Sequence, residues 1–361
     1  MGARVPGNER SPQLGFNAMI QLAIHQSDLG FHPRWVSYCE QQGIPFKRVD
    51  CHANDIIEQL RDCHGLLWHH GQMTPADLVV AKAILSALEH TGFKVFPDWR
   101  TGWHFDDKVA QKYLMEAIGA PLVPTWVFLD RDSALDWVNS AKFPKVFKLR
   151  GGAGSSNVRL VAHRRDARKL VRRAFGAGFA NYDAWGSLQE RWRKFRLGKN
   201  GLFDVVKGAV RIFNRPPFAR ILGRELGYVY FQDFIPNNDS DTRVIVIGDK
   251  AGAMKRFVRE NDFRASGSGH KTYDRTEIDE RCVEIAFALT LRLNAQCAAY
   301  DFVLGPKNEP LLVEVSYGFV TEVYPGYWDR SMRWHEGPFN PQGCMVDVLV
   351  KTIDCADGGY G

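Results

Sequence analysis

The sequence predicts a mixed α/β and α+β protein of two or three domains, and three observations carry that expectation. Strands alternate with helices through the first hundred residues. A glycine-rich loop joins two strands near residue 150. The last third is mostly strand and ends in a hairpin, Ala298 to Phe319, that brings two acidic residues face to face. Alternating strands and helices indicate a parallel sheet with helices on its faces. At 361 residues the chain is long enough for each unit to bury its own core.

Residues 1–17, rich in Gly, Pro, Arg and Asn without apolar periodicity, read as a flexible tail. Residues 18–105 form the alternating unit. It runs through strand Met19 to His25, helix Pro33 to Gly43, strand IPFKRVDC, helix Asn54 to Cys63, strand GLLWHH, an amphipathic helix from Pro75 to Thr91 and strand FKVFP. No GxGxxG follows the first strand, so a dinucleotide site is unsupported there. Residues 106–184 open on helix DDKVAQKYLMEAIG, ended by Gly119. They continue through strand VPTWVFL and helix Ser133 to Ser140 to KVFKLRGGAGSSNVRLV, which reads strand, loop, strand. Residues 185–226 form a basic amphipathic insertion. Residues 227–361 carry strands GYVYFQDFI, DTRVIVIGD and AGAMKRFVR, a helix near Thr276 to Leu293, the hairpin and a C-terminal extension.

Composition excludes several classes. No run of about 18 apolar residues is present, so a membrane-spanning helix is not expected, and no signal-peptide pattern argues for export. Seven cysteines with no CxxC pair and one left over argue for reduced thiols in a cytoplasm, against a zinc site or disulfide framework. A net charge of +6 is too small to name a partner.

The hairpin pairs two apolar strands around Gly305, Pro306, Lys307 and Asn308. If it does so without a bulge, Asp301 lies opposite Glu314. At about 5 Å and an effective dielectric near 20 the repulsion is roughly 3 kcal/mol. The pair therefore needs a shared proton or a cation, unless one carboxylate points to solvent. Two strand carboxylates suit Mg²⁺, which completes its shell with water and nucleotide phosphate. In VFKLRGGAGSSNV, Lys148 ends a strand before Gly151, Gly152, Gly154, Ser155 and Ser156, whose backbone and hydroxyl donors suit a polyphosphate. It is not a Walker A loop, since the lysine precedes the glycines. In KRFVRENDFRASGSGHK, Lys255, Arg256, Arg259 and Arg264 surround a Ser/Gly loop that also suits an anion. A fourth element, FQDFIPNNDSDTRVIVIG, is a strand ending in a polar segment and then a second strand opened by Asp241 and Arg243; any one of these has a plainer structural reading, but four in fixed order outweigh it.

In motif order, spacing and chemistry, residues from about Asp106 to the hairpin resemble the ATP-grasp superfamily. They are most similar to its carboxylate-amine ligases, including ribosomal-protein glutamate ligases and D-alanine:D-alanine ligase. The first unit looks like the pre-ATP-grasp domain. The resemblance implies ATP and Mg²⁺ or Mn²⁺ as cofactors, with Lys108 and Lys148 on the ATP phosphates under a lid formed by Gly151 to Ser156. It assigns Gln232, Asp233, Phe234 and Ile235 to the adenine hinge, Asp241 to a position beside the nucleotide, and Arg264, Ala265 and Ser266 to an ATP-proximal segment. Arg243 and Arg256 would hold phosphate and the acyl intermediate, with Lys255 and His270 as further catalytic candidates. Asp301 and Glu314 would bind metal; Ser316 stands where the family has Asn, as does Ser266. The implied reaction makes an amide through an acyl phosphate. The alternatives are a phosphotransferase using the same ATP site and a non-catalytic nucleotide-binding module. His69 and His70 are expected to be structural or surface residues.

KLRGGAGSSNV and VEVSYGF are also similar to ATP-grasp proteins associated with bacterial surface polysaccharides. That similarity implies amidation of a sugar carboxylate on an acidic or lipid-linked glycan. In the insertion, ten Lys/Arg lie between Glu190 and Glu225 against one internal acid, Asp204, interleaved with Trp185, Trp192, Phe195 and the amphipathic run LFDVVKGAVRIF. Three readings remain: contact of 186–224 with an anionic membrane at the inner face of the cell, binding of an acidic polymer, or a solvated helical hairpin packed on the body. No RNA-reading module accompanies it, so nucleic acid is the weakest partner.

Overall fold

The computed structural model describes residues 20–151, 157–182, 188, 191–192, 195–196, 201–214, 216–258, 265, 269–320 and 322–357. The expected tail and the loop residues Gly152, Gly154, Ser155 and Ser156 lie outside the described residues, as do Arg259, Arg264 and Ser266.

The alternating unit folds as a parallel sheet in the order β2-β1-β3-β4, from β1 (Leu22–His25), β2 (Phe46–Val49), β3 (Gly65–Leu67) and β4 (Lys94–Phe96). Every residue of β1 is buried, as a central strand covered on both faces requires. Helix α1 (His32–Gln42) carries Pro33 in its first turn and stops at Gly43, whose φ of 67° closes the last turn. The helix expected over Asn54 to Cys63 is a single turn, α2 (Ile56–Gln59), before α3 (Pro75–His90) and α4 (Trp99–Gly102).

Helix α5 (Lys108–Ala117) is capped by Asp107, whose carboxylate accepts the Ala110 N–H at 3.0 Å. It leads to β5 (Thr125–Phe128), α6 (Arg131–Ser140), β6 (Lys145–Lys148), β7 (Val158–Val161) and α7 (Arg164–Ala174). A short ribbon of β8 (Phe179–Ala180) and β9 (Arg224–Glu225) then ties off the insertion, in which α8 (Leu202–Phe213) and α9 (Pro217–Leu222) lie. Helix α9 packs on α3, so the insertion reaches back to the first unit. Strand β10 (Val229–Asp233) inserts between β5 and β6 to give an antiparallel sheet β5-β10-β6-β7.

The largest sheet runs β15-β14-β11-β12-β16-β17. Its strands are β11 (Ser240–Ile247), β12 (Lys250–Phe257), β14 (Cys297–Leu304), β15 (Pro310–Ser316), β16 (Tyr324–Asp329) and β17 (Trp334–Phe339), with β13 (Lys271–Thr272) on β12. Strand alternation divides its side chains between two cores. Val244, Val246, Tyr300 and Phe302 pack with Val283 and Leu289 of α10 (Glu280–Leu293). Ile245, Ile247, Cys297 and Ala299 face the other way. They share one core with Ile24, Trp35 and Phe96 of the first unit and with Met345 and Leu349 of α11 (Pro341–Asp357). The C-terminal helix thus cements the first sheet to the largest one, which fixes both walls of the cavity between them.

The hairpin register corrects one expectation. The turn closes with the Gly305 N–H on the Glu309 carbonyl at 2.8 Å, setting Leu304 opposite Pro310 and Phe302 opposite Leu312. Continued unbroken, that register would face Asp301 with Val313. A bulge between Asp301 and Phe302 absorbs the extra residue and places Glu314 opposite Asp301.

Candidate functional site

The face of β11 that is core at Ile247 and Ile245 turns polar at its N-terminal end, at Arg243 and Asp241. On its neighbours the same face continues as Arg256 opposite Asp241, Asp301 opposite Arg243, and Glu314 opposite Asp301. Period-two alternation thus gathers three acids and two arginines where the apolar core ends.

Their geometry is tight. Arg243 donates two bonds to Asp301, Nε to Oδ1 at 2.7 Å and an Nη to Oδ2 at 2.8 Å. Arg256 does the same to Asp241, both at 2.7 Å, and also reaches Asp301 Oδ2 at 2.8 Å. Burial alone would raise the Asp301 carboxyl, but Arg243 and Arg256 outweigh it and hold it below the usual carboxylate range. Asp241 moves the other way, pushed up to about 6 by burial and the charge of Asp301. The repulsion expected between Asp301 and Glu314 is therefore met by protein cations, with Lys108 Nζ 3.5 Å from Glu314 Oε1.

All of these residues except Arg256 border a cavity of about 610 Å³ between the three sheets. On one side Lys148, 4% exposed, projects from the end of β6. Burial pulls its ammonium down to about 8, against the opposing pull of Glu314. Lys108, at the first position of α5, is buried on the same wall. Gln232 bridges sheets, donating to Thr125 Oγ1 at 3.1 Å and to the Val313 carbonyl at 3.4 Å. Asp233 is ion-paired with Lys145, whose ammonium sits 4.4 Å from the Trp126 ring centroid. Phe234, Ile235, Asp241, Arg243, Ala265, Asp301, Glu314 and Ser316 also border the cavity.

Other expected residues fall elsewhere. Lys255 sits one position from Arg256, and alternation turns it to the opposite face, where it pairs with Glu277 at 3.6 Å. Arg256 is in the network but is not among the residues lining the cavity. His270 is exposed on the segment whose carbonyl accepts the Phe257 N–H, and it does not line the cavity. Gly151 itself lies against Asp106, where an added Cβ would stand 3.1 Å from the carboxylate. The Ser316 hydroxyl is bound locally, donating to the Gly318 carbonyl at 2.9 Å and accepting from its N–H at 3.2 Å.

Sequence reasoning missed part of the cavity lining. His69, Gln72, Phe105 and Asp106 belong to it, and Asp106 holds a left-handed φ of 55°. His69 is stacked on Phe31 with ring centroids 3.8 Å apart, and its Nδ1 accepts the Phe31 N–H at 3.1 Å. A neutral ring must then carry its proton on Nε2, 3.4 Å from the Cβ position of Gly318. Burial, with His32 and His70 nearby, lowers its pKa to about 3. Nitrogen-15 spectra of the ring are thus expected to show the Nε2–H form from pH 9 down to about pH 4. Titration near pH 6.5 would contradict this assignment.

Residues 221–324 match the family model of the RimK-like ATP-grasp domain. Among solved structures, D-cycloserine synthetase DcsG is similar at a TM-score of 0.55 and 14% identity, with 92% of this chain and 99% of that one covered. A RimK domain ATP-grasp protein from Sphaerobacter thermophilus DSM 20745 is similar at 0.52 and 17%, covering 94% and 100%. D-alanine–D-alanine ligase from Bacillus anthracis, solved with ATP, is similar at 0.55 and 12%, covering 95% and 100%. A comparison with curated proteins finds no match. Identities this low establish the fold and leave the substrates to the chemistry of the site.

Proposed function

We propose that this chain, which has the ATP-grasp fold and a RimK-like ATP-grasp domain over residues 221–324, is an ATP-dependent ligase that joins a carboxylate to an amine. One observation carries the reading. Lys108, Lys148, Arg243, Asp301 and Glu314 converge on one cavity, and no described cysteine lines it. Such a site stabilises transferring phosphoryl groups and needs no protein nucleophile.

In the proposed reaction a substrate carboxylate oxygen attacks the γ-phosphorus of ATP, the bridge to the β-phosphate breaks, and ADP leaves. The amine then attacks the acyl carbon, expelling phosphate and losing a proton to form the amide. Lys108 and Lys148 would neutralise the phosphates, and Arg243 the charge that grows on the transferred group. Asp301 and Glu314 offer the oxygen donors that a nucleotide-borne Mg²⁺ accepts. Glu314, its side chain 36% exposed, is the more available of the two. When bound, the metal would supply charge neutralisation. The Ser316 hydroxyl, turned to Gly318, does not fit that set.

Elsewhere in the lining, His69, Gln72 and the rings of Phe105 and Phe319 offer neutral polar groups and aromatic faces beside the Asp106 carboxylate, an acceptor for hydroxyl groups. That supports a hydroxyl-rich sugar carboxylate, free or on a lipid-linked glycan, as the acid. With ATP, Mg²⁺, glucuronate and an amino acid supplied together, ADP and free phosphate are expected in equal amounts, with neither formed when acid or amine is omitted. Phosphate retained on a single acceptor would instead make the protein a phosphotransferase.

A further inference from the structure

The insertion is left over from this function, and its charge and shape point to a second one. Residues 159–224 contain seventeen Lys/Arg and four Asp/Glu, a net +13 in a chain whose total is +6, so the remaining residues sum to −7. Basic charge is thus concentrated on one segment of an otherwise acidic protein.

Helix α7 begins this segment. At about 100° per residue, Arg164, Arg165, Arg168, Lys169, Arg172 and Arg173 spread over roughly half its circumference, and all six are exposed. Ala167, Val171 and Ala174 fill the packed face. The one acid, Asp166, is held by Lys169 at 3.2 Å. The insertion springs from the C-terminal end of this helix, where Arg224 donates to the Ala177 and Gly178 carbonyls and Gly227 N–H to the Ala174 carbonyl.

Helix α8 supplies what charge alone lacks. Leu202, Phe203, Val206 and Val210 fall within an arc of about 100° and are 59%, 80%, 52% and 56% exposed. The helix rests instead on its other side, where a Cβ at Gly208 would meet Arg191 Cδ at 2.8 Å and where Asp204 lies 3.5 Å from Arg191. Lys207, exposed, borders the apolar stripe about 40° from its edge. Nucleic acid or an acidic glycan would satisfy the cations but offers no apolar phase to receive four aliphatic and aromatic side chains. An anionic bilayer offers both.

We propose that α8 is a peripheral docking helix for an anionic lipid bilayer, its apolar stripe entering the acyl boundary while the cations of this segment, Arg165 and Arg172 of α7 among them, meet the headgroups. No described helix is long and apolar enough to cross a membrane, so the contact is superficial. The surface lies outside the cavity, and this inference does not depend on the ligase reading.

The full-length protein is expected to float with vesicles of phosphatidylcholine and phosphatidylglycerol, 1:1, and not with pure phosphatidylcholine. Phe203→Glu with Val206→Glu should weaken binding at least tenfold. Arg165→Glu with Arg172→Glu should do the same, and only the contribution of the arginines should fall away in high salt. All four positions are exposed, and unchanged melting temperatures would confirm intact folds. Wild-type binding to the mixed vesicles by both double variants would overturn the proposal. So would equal binding to pure phosphatidylcholine, or binding to polyglucuronate with none to vesicles.

Discussion

Lys148→Met is expected to weaken ATP binding by one to two orders of magnitude while making the protein more stable. The two effects have one origin. Lys148 is 4% exposed and its charge sits in a site that pulls its pKa down to about 8, so methionine of similar length removes a desolvation cost. It also removes a charge-assisted contact to phosphate worth about 1.5–3 kcal/mol, or roughly 10- to 150-fold in affinity. The pH dependence separates the two effects. The ammonium binds phosphate only when protonated, so wild-type affinity should fall as pH rises through about 8, and the variant should lack that fall. For stability the sign reverses. The folded state releases this proton near 8 and the unfolded state near 10.4, so the unfolded state binds more protons in that window and wild-type stability gains as pH rises through it. Calorimetric Kd values and melting temperatures at pH 7 and 9 would check both. An unchanged Kd would remove Lys148 from the nucleotide site.

Much of this was legible in the sequence because the signals were local. The strand DTRVIVIGD shows its alternation directly, and Arg243 and Asp241 fall on the face that carries Ile245 and Ile247. Hairpin AAYDFVLGPKNEPLLVEVSYGF gave the Asp301–Glu314 pairing, but for an incomplete reason. The bulge beside Val313 leaves no mark in the residues, since an apolar side chain suits either register. Lys255 and Arg256 are adjacent and both cationic, so only the register against β11 tells which one joins the acids. His69 could not be placed from the segment that follows β3. Its approach to the hairpin depends on Tyr317, Phe319 and Met345 closing one core across the chain. In α8 the sequence revealed an amphipathic helix but not which face is packed. That is decided by Gly208, whose missing side chain lets Arg191 and Leu188 approach.

Asp301→Asn is expected to abolish ATP turnover and to destabilise the fold, whereas Glu314→Gln should abolish turnover alone. Asp301 is 7% exposed and accepts from both Arg243 and Arg256. An amide there leaves two buried guanidinium groups facing one remaining carboxylate, Asp241. Breaking a buried pair in this way costs about 3–5 kcal/mol. Glu314 is more exposed, and its contact with Lys108 is longer, at 3.5 Å. Loss of its charge should cost little stability while removing an oxygen ligand of the proposed metal. Comparing the two variants therefore separates the structural part of the acidic pair from its catalytic part. The acid side of the pH profile adds an independent readout. Asp301, held below the usual range, contributes stability above its unfolded pKa of about 3.9 that is lost as pH falls through its folded pKa. Asp241 opposes this. With a folded pKa of about 6 it binds its proton before the unfolded chain does, so its contribution is present at low pH and is lost as pH rises from about 4 to 6. In Asp301→Asn the like charge beside Asp241 is gone, and its pKa should fall toward that of an ordinary carboxylate paired with Arg256. Carbon-13 titration of the Asp241 carboxyl in both proteins would measure that shift. A wild-type melting temperature in Asp301→Asn, together with an unmoved Asp241, would mean that the two arginines do not depend on Asp301.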